Sequence, residues 1–180
     1  MKLLFNTYNH HLMKKVYLFA LILVPFFISS CMSFPQKIDS FVTSVEEECD
    51  QSSYSEEYWM SKDQQFQRHI DKYQAKKSSF TSEEKREINS SIARYEFQKI
   101  NSFVTFVKDN YSEYSEDDWA TANERIKELA RGYKEVRHFF NTREKLAINK
   151  LFISYGVVVA GTKISSAISV VRSILQELGL

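Results

Sequence analysis

Tyr54-Ser55-Glu56-Glu57-Tyr58-Trp59 returns later in the chain as Tyr114-Ser115-Glu116-Asp117-Asp118-Trp119. In each copy a serine is followed by carboxylates and then by a tryptophan. A serine side chain accepts the orphan N–H groups that open a helix, and carboxylates in the first turn meet the positive end of its dipole. Each stretch therefore starts a helix. Tyr and Trp occupy the N′ and N4 positions on either side of the cap, where they can close a hydrophobic staple.

The likeness extends in both directions. At the same spacing Phe66 pairs with Ile126, Ile70 with Ala130, Tyr73 with Tyr133 and Phe80 with Phe140. Glu84-Lys85 pairs with Glu144-Lys145, Ile88-Asn89 with Ile148-Asn149, Ile92 with Phe152, and Tyr95 with Tyr155. Upstream, Lys37-Ile38-Asp39-Ser40-Phe41-Val42-Thr43 pairs with Lys99-Ile100-Asn101-Ser102-Phe103-Val104-Thr105 at an offset two residues larger. A partial third copy opens at Lys163-Ile164-Ser165-Ser166. The period of about 60 residues exceeds that of the common helical-hairpin repeats and reads as a tandem duplication.

Apolar spacing sets the helices. The first is expected from about Lys37 to Cys49, with Ile38, Phe41, Val42 and Val45 on one stripe. The second follows Ser55 and carries Trp59, Phe66, Ile70 and Tyr73. The third follows Thr81, and no Gly or Pro stops it before about Asp109. The fourth follows Ser115 with Trp119, Ala122, Ile126, Leu129, Ala130 and Tyr133. The fifth follows Asn141 and is expected to continue to Leu178, with Gly156 and Gly161 as places for a bend. Thr81-x-x-Glu84 and Asn141-x-x-Glu144 both fit a capping box. The expected fold is all-α: an elongated antiparallel bundle of about five helices. Residues 37–98 form the first repeat, and 99–180 the second with a C-terminal helix extension.

Composition agrees with that class. Four Gly and two Pro in 180 residues are too few for the turns of a sandwich, barrel or doubly wound sheet. A net charge of +1 argues against a nucleic-acid partner, which calls for a basic excess.

Residues 1–30 hold three Lys and no Asp or Glu. Met13-Lys14-Lys15 opens a second, cleaner start, followed by an apolar run from Val16 to Ile28 that only Pro25 interrupts. A basic segment, a short apolar run and small residues describe a secretory signal peptide over 1–30. The junction Ile28-Ser29-Ser30-Cys31 resembles the lipobox of bacterial lipoproteins. That resemblance implies that Cys31 becomes the lipidated N-terminus and that 31–36 is a tether to the membrane. Two or three acyl chains, at about 0.8 kcal/mol per buried CH₂, give stable anchoring. Met32 in place of Asp lacks the inner-membrane retention signal of enterobacterial lipoproteins. No acidic cluster of the kind linked to surface export follows it, so the expected location is the periplasmic face of the outer membrane. With the low Gly/Pro content and the Ser-x-x-x-Trp turns, the chain resembles small helical lipoproteins of Bacteroidota whose function is unknown.

If Cys31 is lipidated, Cys49 stands alone as a buried thiol, a surface thiol or an intermolecular bridge. The aromatic-acidic turns are the candidate partner-binding surface: Tyr54, Tyr58, Trp59, Tyr111, Tyr114 and Trp119. The simpler reading of the same residues is as staples and core. Leu151 to Val171, with Lys163 its one charge, reads as a core helix, an oligomer interface or a membrane-inserting segment. His69 and His138 occupy unmatched repeat positions and read as solvated groups. No catalytic residue, metal ligand or cofactor site is nominated. The expected function is a membrane-anchored, non-enzymatic scaffold or interaction module for another envelope protein. The alternative is a periplasmic carrier of a lipid or other apolar ligand.

Overall fold

The structure is a computed structural model that describes residues 32–49, 54–162 and 165–179. The stretch read as a signal peptide, Cys31 and the Lys163-Ile164 opening lie outside the described residues. Ile38–Leu180 form one compact unit, and the fold below is chiefly that of this unit.

The fold is all-α. Six α-helices follow one another among the described residues: α1 Phe34–Cys49, α2 Glu56–Ala75, α3 Ser82–Asn110, α4 Glu116–Val136, α5 Thr142–Gly161 and α6 Ser165–Leu178. Three short 3₁₀ turns punctuate them, at Lys77–Ser79, Tyr111–Glu113 and Arg137–Phe139.

Local chemistry fixes most of the boundaries. Glu84 N–H donates to Thr81 Oγ1 at 3.2 Å, while Thr81 N–H donates to the Glu84 carboxylate at 2.8 Å. Asn141 and Glu144 repeat that reciprocal pair at 3.0 and 2.8 Å. Ser115 and Asp118 make a third box at 3.2 and 2.9 Å. Two orphan donors are satisfied in each, which is why these helices start where they do. α3 then runs 29 residues without a break, about 43 Å at 1.5 Å per residue.

Two expectations need correction. α1 begins at Phe34, inside the stretch read as tether, because Ser33 and Gln36 cap it and Pro35 suits a first turn. The last helix is two helices: α5 ends at Gly161, and Thr162 donates back to the Val159 carbonyl at 3.0 Å. The break falls at Gly161, not at Gly156. Gly156 stays inside α5 at a point of close packing, where a Cβ would sit 2.8 Å from Val171 on α6.

Hydrogen bonds between distant residues define the pairing. Tyr95 on α3 reaches Asp63 on α2 at 2.8 Å, and Tyr155 on α5 reaches Asn123 on α4 at 3.0 Å. Each pair straddles a short turn almost symmetrically, so α2 folds back on α3 and α4 on α5. Ile38, Val42, Val45, Trp59, Phe66, Tyr73, Ile88, Ile92 and Tyr95 are buried in the first half. A continuous core of the C-terminal part of α3 with α4, α5 and α6 forms the second. The expected boundary at 98/99 therefore lies inside α3, which serves both halves.

Candidate functional site

The aromatic turns divide into interior and surface. Trp59 and Trp119 are 0% and 2% exposed and pack inside, so neither presents a surface. Tyr114 stands edge-on to Trp119 at 5.1 Å, which closes the second staple. Burial pushes its hydroxyl up to about 12. Tyr54 turns elsewhere: its ring lies 5.3 Å from Phe103 and 5.5 Å from Phe106 on α3. Its hydroxyl oxygen accepts from Arg125 Nε at 3.0 Å, tying the start of α2 to α4. Tyr58 is half-buried beside Trp59, with Lys62 Nζ 5.2 Å above its ring. Tyr111 alone of the six is exposed, at 44%. Tyr54, Tyr58 and Tyr114 are half-buried, so burial alone withdraws only the two tryptophans from the surface.

Cys49 is half-buried. His138 is exposed against Phe139. His69 differs from the solvated group expected: it is half-buried, its ring is 5.4 Å from Phe41, and burial lowers its basicity. Among the described residues no cluster of His, Cys, Asp and Glu could hold a metal ion. Nor is any described helix long and apolar enough to cross a membrane.

Sequence reasoning missed a charged junction. Lys99 Nζ lies 3.0 Å from Asp63 and 3.4 Å from Glu96. Arg125, from α4, approaches Asp63 at 4.0 Å and Glu128 at 2.9 Å. Burial pushes the Glu96 carboxyl above its ordinary range; Lys99 pulls it back, and the Asp63 charge adds to the rise. One Glu96 oxygen has no hydrogen-bond partner, and it faces Gly132, where a Cβ would come within 3.3 Å. Burial likewise raises the Tyr95 hydroxyl, with the Asp63 charge in support. These groups join α2, α3 and α4, which makes them a structural junction.

The sequence left Leu151 to Val171 as a core helix, an oligomer interface or a membrane-inserting segment, and did not single out the outward face of α5. Leu146, Ile153 and Val157 are 55%, 45% and 68% exposed. Met60 and Tyr111 are the other exposed large apolar residues among those described, and they stand singly. With Arg143, Lys150 and Ala160, all exposed, the three occupy every third or fourth position of one helix. Their stripe lies opposite the buried face formed by Ile148, Phe152, Tyr155 and Val159. A signal existed: α5 is too apolar all round for a helix with one buried face. Beside the N-terminal end of the stripe is a mainly apolar cleft of about 220 Å³, lined by Ala93, Arg94, Phe97, Phe140, Arg143 and Ala147, with Glu144. The guanidinium of Arg94, in the wall of the cleft, pairs with Asp39 and Glu46 on α1.

Comparison with curated proteins and with solved structures finds no match. A family model described as a domain of unknown function, DUF6565, matches residues 107–179, about two-fifths of the chain, from the last turn of α3 through α6.

Proposed function

We propose that the protein is a membrane-anchored, non-enzymatic helical lipoprotein of the cell envelope that binds another protein. The observation carrying the interaction reading is the outward face of α5. Exposed apolar residues scattered singly need no explanation, but a contiguous set on one helix marks an interaction surface. The lipobox-like junction at Cys31 supports the anchor, and the residues around it favour the periplasmic side of the outer membrane.

Two experiments test this reading. Acyl labelling of wild type against Cys31→Ala, with membrane fractionation, is expected to show label and membrane association lost together. In-cell crosslinking with mass spectrometry is expected to recover a heterologous protein. Monomer alone under several crosslinking chemistries defeats the interaction reading, and an unlabelled, freely soluble wild type defeats the anchor.

The cleft beside α5 favours a second reading, a carrier of an apolar ligand. Its volume of about 220 Å³ is below the ~300 Å³ at which small-molecule sites begin. Aromatic side chains such as Phe66 and Tyr95, stacked at 3.9 Å, fill the neighbouring interior. Native mass spectrometry of freshly purified and delipidated protein separates the readings, because a carrier retains a bound mass.

A further inference from the structure

The outward face of α5 has a definite pitch. Arg143, Leu146, Lys150, Ile153, Val157 and Ala160 recur at alternating steps of three and four, the seam spacing of helices that pack along each other. The stripe covers 143–160, about 26 Å at 1.5 Å per residue. Its residues are exposed from end to end.

Charge selects among occupants. Arg143 and Lys150 sit within the stripe, and among the described residues neither pairs with a carboxylate. The one carboxylate of α5, Glu144, is engaged by the Asn141 N–H at 2.8 Å. A second copy packed through the same stripe supplies no complement: in parallel Lys150 meets Lys150, and antiparallel about the centre of the stripe it meets Ile153. An amphipathic partner with carboxylates opposite both cations satisfies them. The adjoining cleft, with Phe97 and Phe140 in its wall, offers a recess for one large side chain of that partner. A buried anchor beside a stripe is the usual anatomy of helix recognition.

Resting on the interaction reading above, we propose that the outward face of α5, Arg143 to Ala160, docks an amphipathic helix of another protein, apolar at heptad spacing and acidic opposite Arg143 and Lys150.

The probe is a synthetic helical peptide of about three heptads, with Leu at the seam and Glu facing the two cations. The protein is the purified full-length chain. Binding is followed by calorimetry and compared with a Lys-for-Glu peptide, with vesicles of three parts phosphatidylethanolamine to one part phosphatidylglycerol, and with self-association by sedimentation. Expected is binding of the acidic peptide at least tenfold tighter than of the basic one. Ile153→Asp and Val157→Asp, both at exposed sites, should weaken it by tenfold or more without changing the circular dichroism. Lys150→Glu should reverse the preference between the peptides. Equal affinity for both peptides, no affinity for either, vesicle binding without peptide binding, or a dimer that Ile153→Asp dissolves would each overturn the proposal. In-cell crosslinking of the Ile153→Asp variant separates its failure from that of the wider reading. A heterologous crosslink that persists places the partner on another face and leaves the interaction role standing, whereas its absence already in wild type removes both.

Discussion

Tyr95 and Tyr155 occupy paired positions, and each hydroxyl donates to a residue 32 positions earlier. The acceptors are also paired: Asp63 in the first half and Asn123 in the second. The geometry is shared, but the chemistry diverges. Asp63 is 35% exposed and has Lys99 at 3.0 Å, while Asn123 is 5% exposed. Val159, which stands at the spacing of Lys99, is fully buried. The neighbours explain the difference. In the second half the chain breaks after Gly161 and α6 packs on α4 and α5. In the first half α3 continues without a break, and α4 comes alongside with Arg125 and Gly132. One hairpin is covered by an apolar helix and keeps a neutral clasp; the other adjoins charged residues and keeps an ionic one.

The largest expected effect tests whether one helix makes the halves a single cooperative unit. Phe66 belongs to the first half and stacks on Tyr95 at 3.9 Å. Phe66→Ala should cost about 3–5 kcal/mol. Because α3 belongs to both halves, chemical denaturation followed by Trp59 and by Trp119 fluorescence, each with the other Trp replaced by Phe, should give coincident transitions. If only the Trp59 signal shifts, the halves fold separately and α3 is a mere linker.

The clasps themselves come next. Tyr155→Phe leaves the buried Asn123 oxygen without its donor, at a cost of about 1–3 kcal/mol. Tyr95→Phe leaves Asp63 paired with Lys99 and partly in water, so about 0.5–1.5 kcal/mol is expected. Urea unfolding of the two variants ranks them. A larger loss for Tyr95→Phe would mean that the ionic clasp, not the neutral one, holds its hairpin.

The two close-approach glycines give opposite signs. A Cβ at Gly156 meets a branched Val171 side chain at 2.8 Å, and overpacking costs about 1–3 kcal/mol, partly offset by the roughly 1 kcal/mol gain in helix propensity. A Cβ at Gly132 meets the end of the Glu96 side chain at 3.3 Å, which can give way. Gly156→Ala should therefore lower Tm and raise hydrogen exchange in α6, while Gly132→Ala leaves Tm unchanged or slightly higher. A rise in Tm for Gly156→Ala would show that α6 sits loosely on its hairpin.

Legibility followed the range of each interaction. The starts of α2, α3, α4 and α5 were readable because Ser55, Thr81, Ser115 and Asn141 act within three residues of themselves. The end of α5 was less so, since Gly156 and Gly161 look alike in sequence and only Val171 tells them apart. Tyr95 and Tyr155 were visible as a pair, yet their acceptors depend on hairpin register, which no local signal states. The outward face of α5 was hidden for a different reason. Apolar composition announces a helix that wants cover, but not which of its faces the rest of the chain leaves bare.

The smallest effect is a pH dependence confined to the first half. Glu96 has Gly156 as its counterpart, so the second half lacks this titration altogether. Burial raises the Glu96 carboxyl above its ordinary value of 4.5, with Lys99 opposing and Asp63 adding. The folded state therefore holds the proton over a range where the unfolded chain has released it, and stability falls as pH rises through the raised value. The Glu84 and Asp118 carboxyls, lowered by their Thr81 and Ser115 partners, act in the opposite sense. Their contribution is present above the ordinary carboxyl range and is lost as pH falls through their depressed values. Glu96→Gln removes only the first term. The variant and wild type should be equally stable in acid, and the variant should become the more stable as pH passes upward from about 4.5 toward neutrality. Urea midpoints measured across that range read the difference directly. A variant less stable at neutral pH would show that the Lys99 contact at 3.4 Å outweighs burial, and that the charged junction holds the first hairpin rather than loading it.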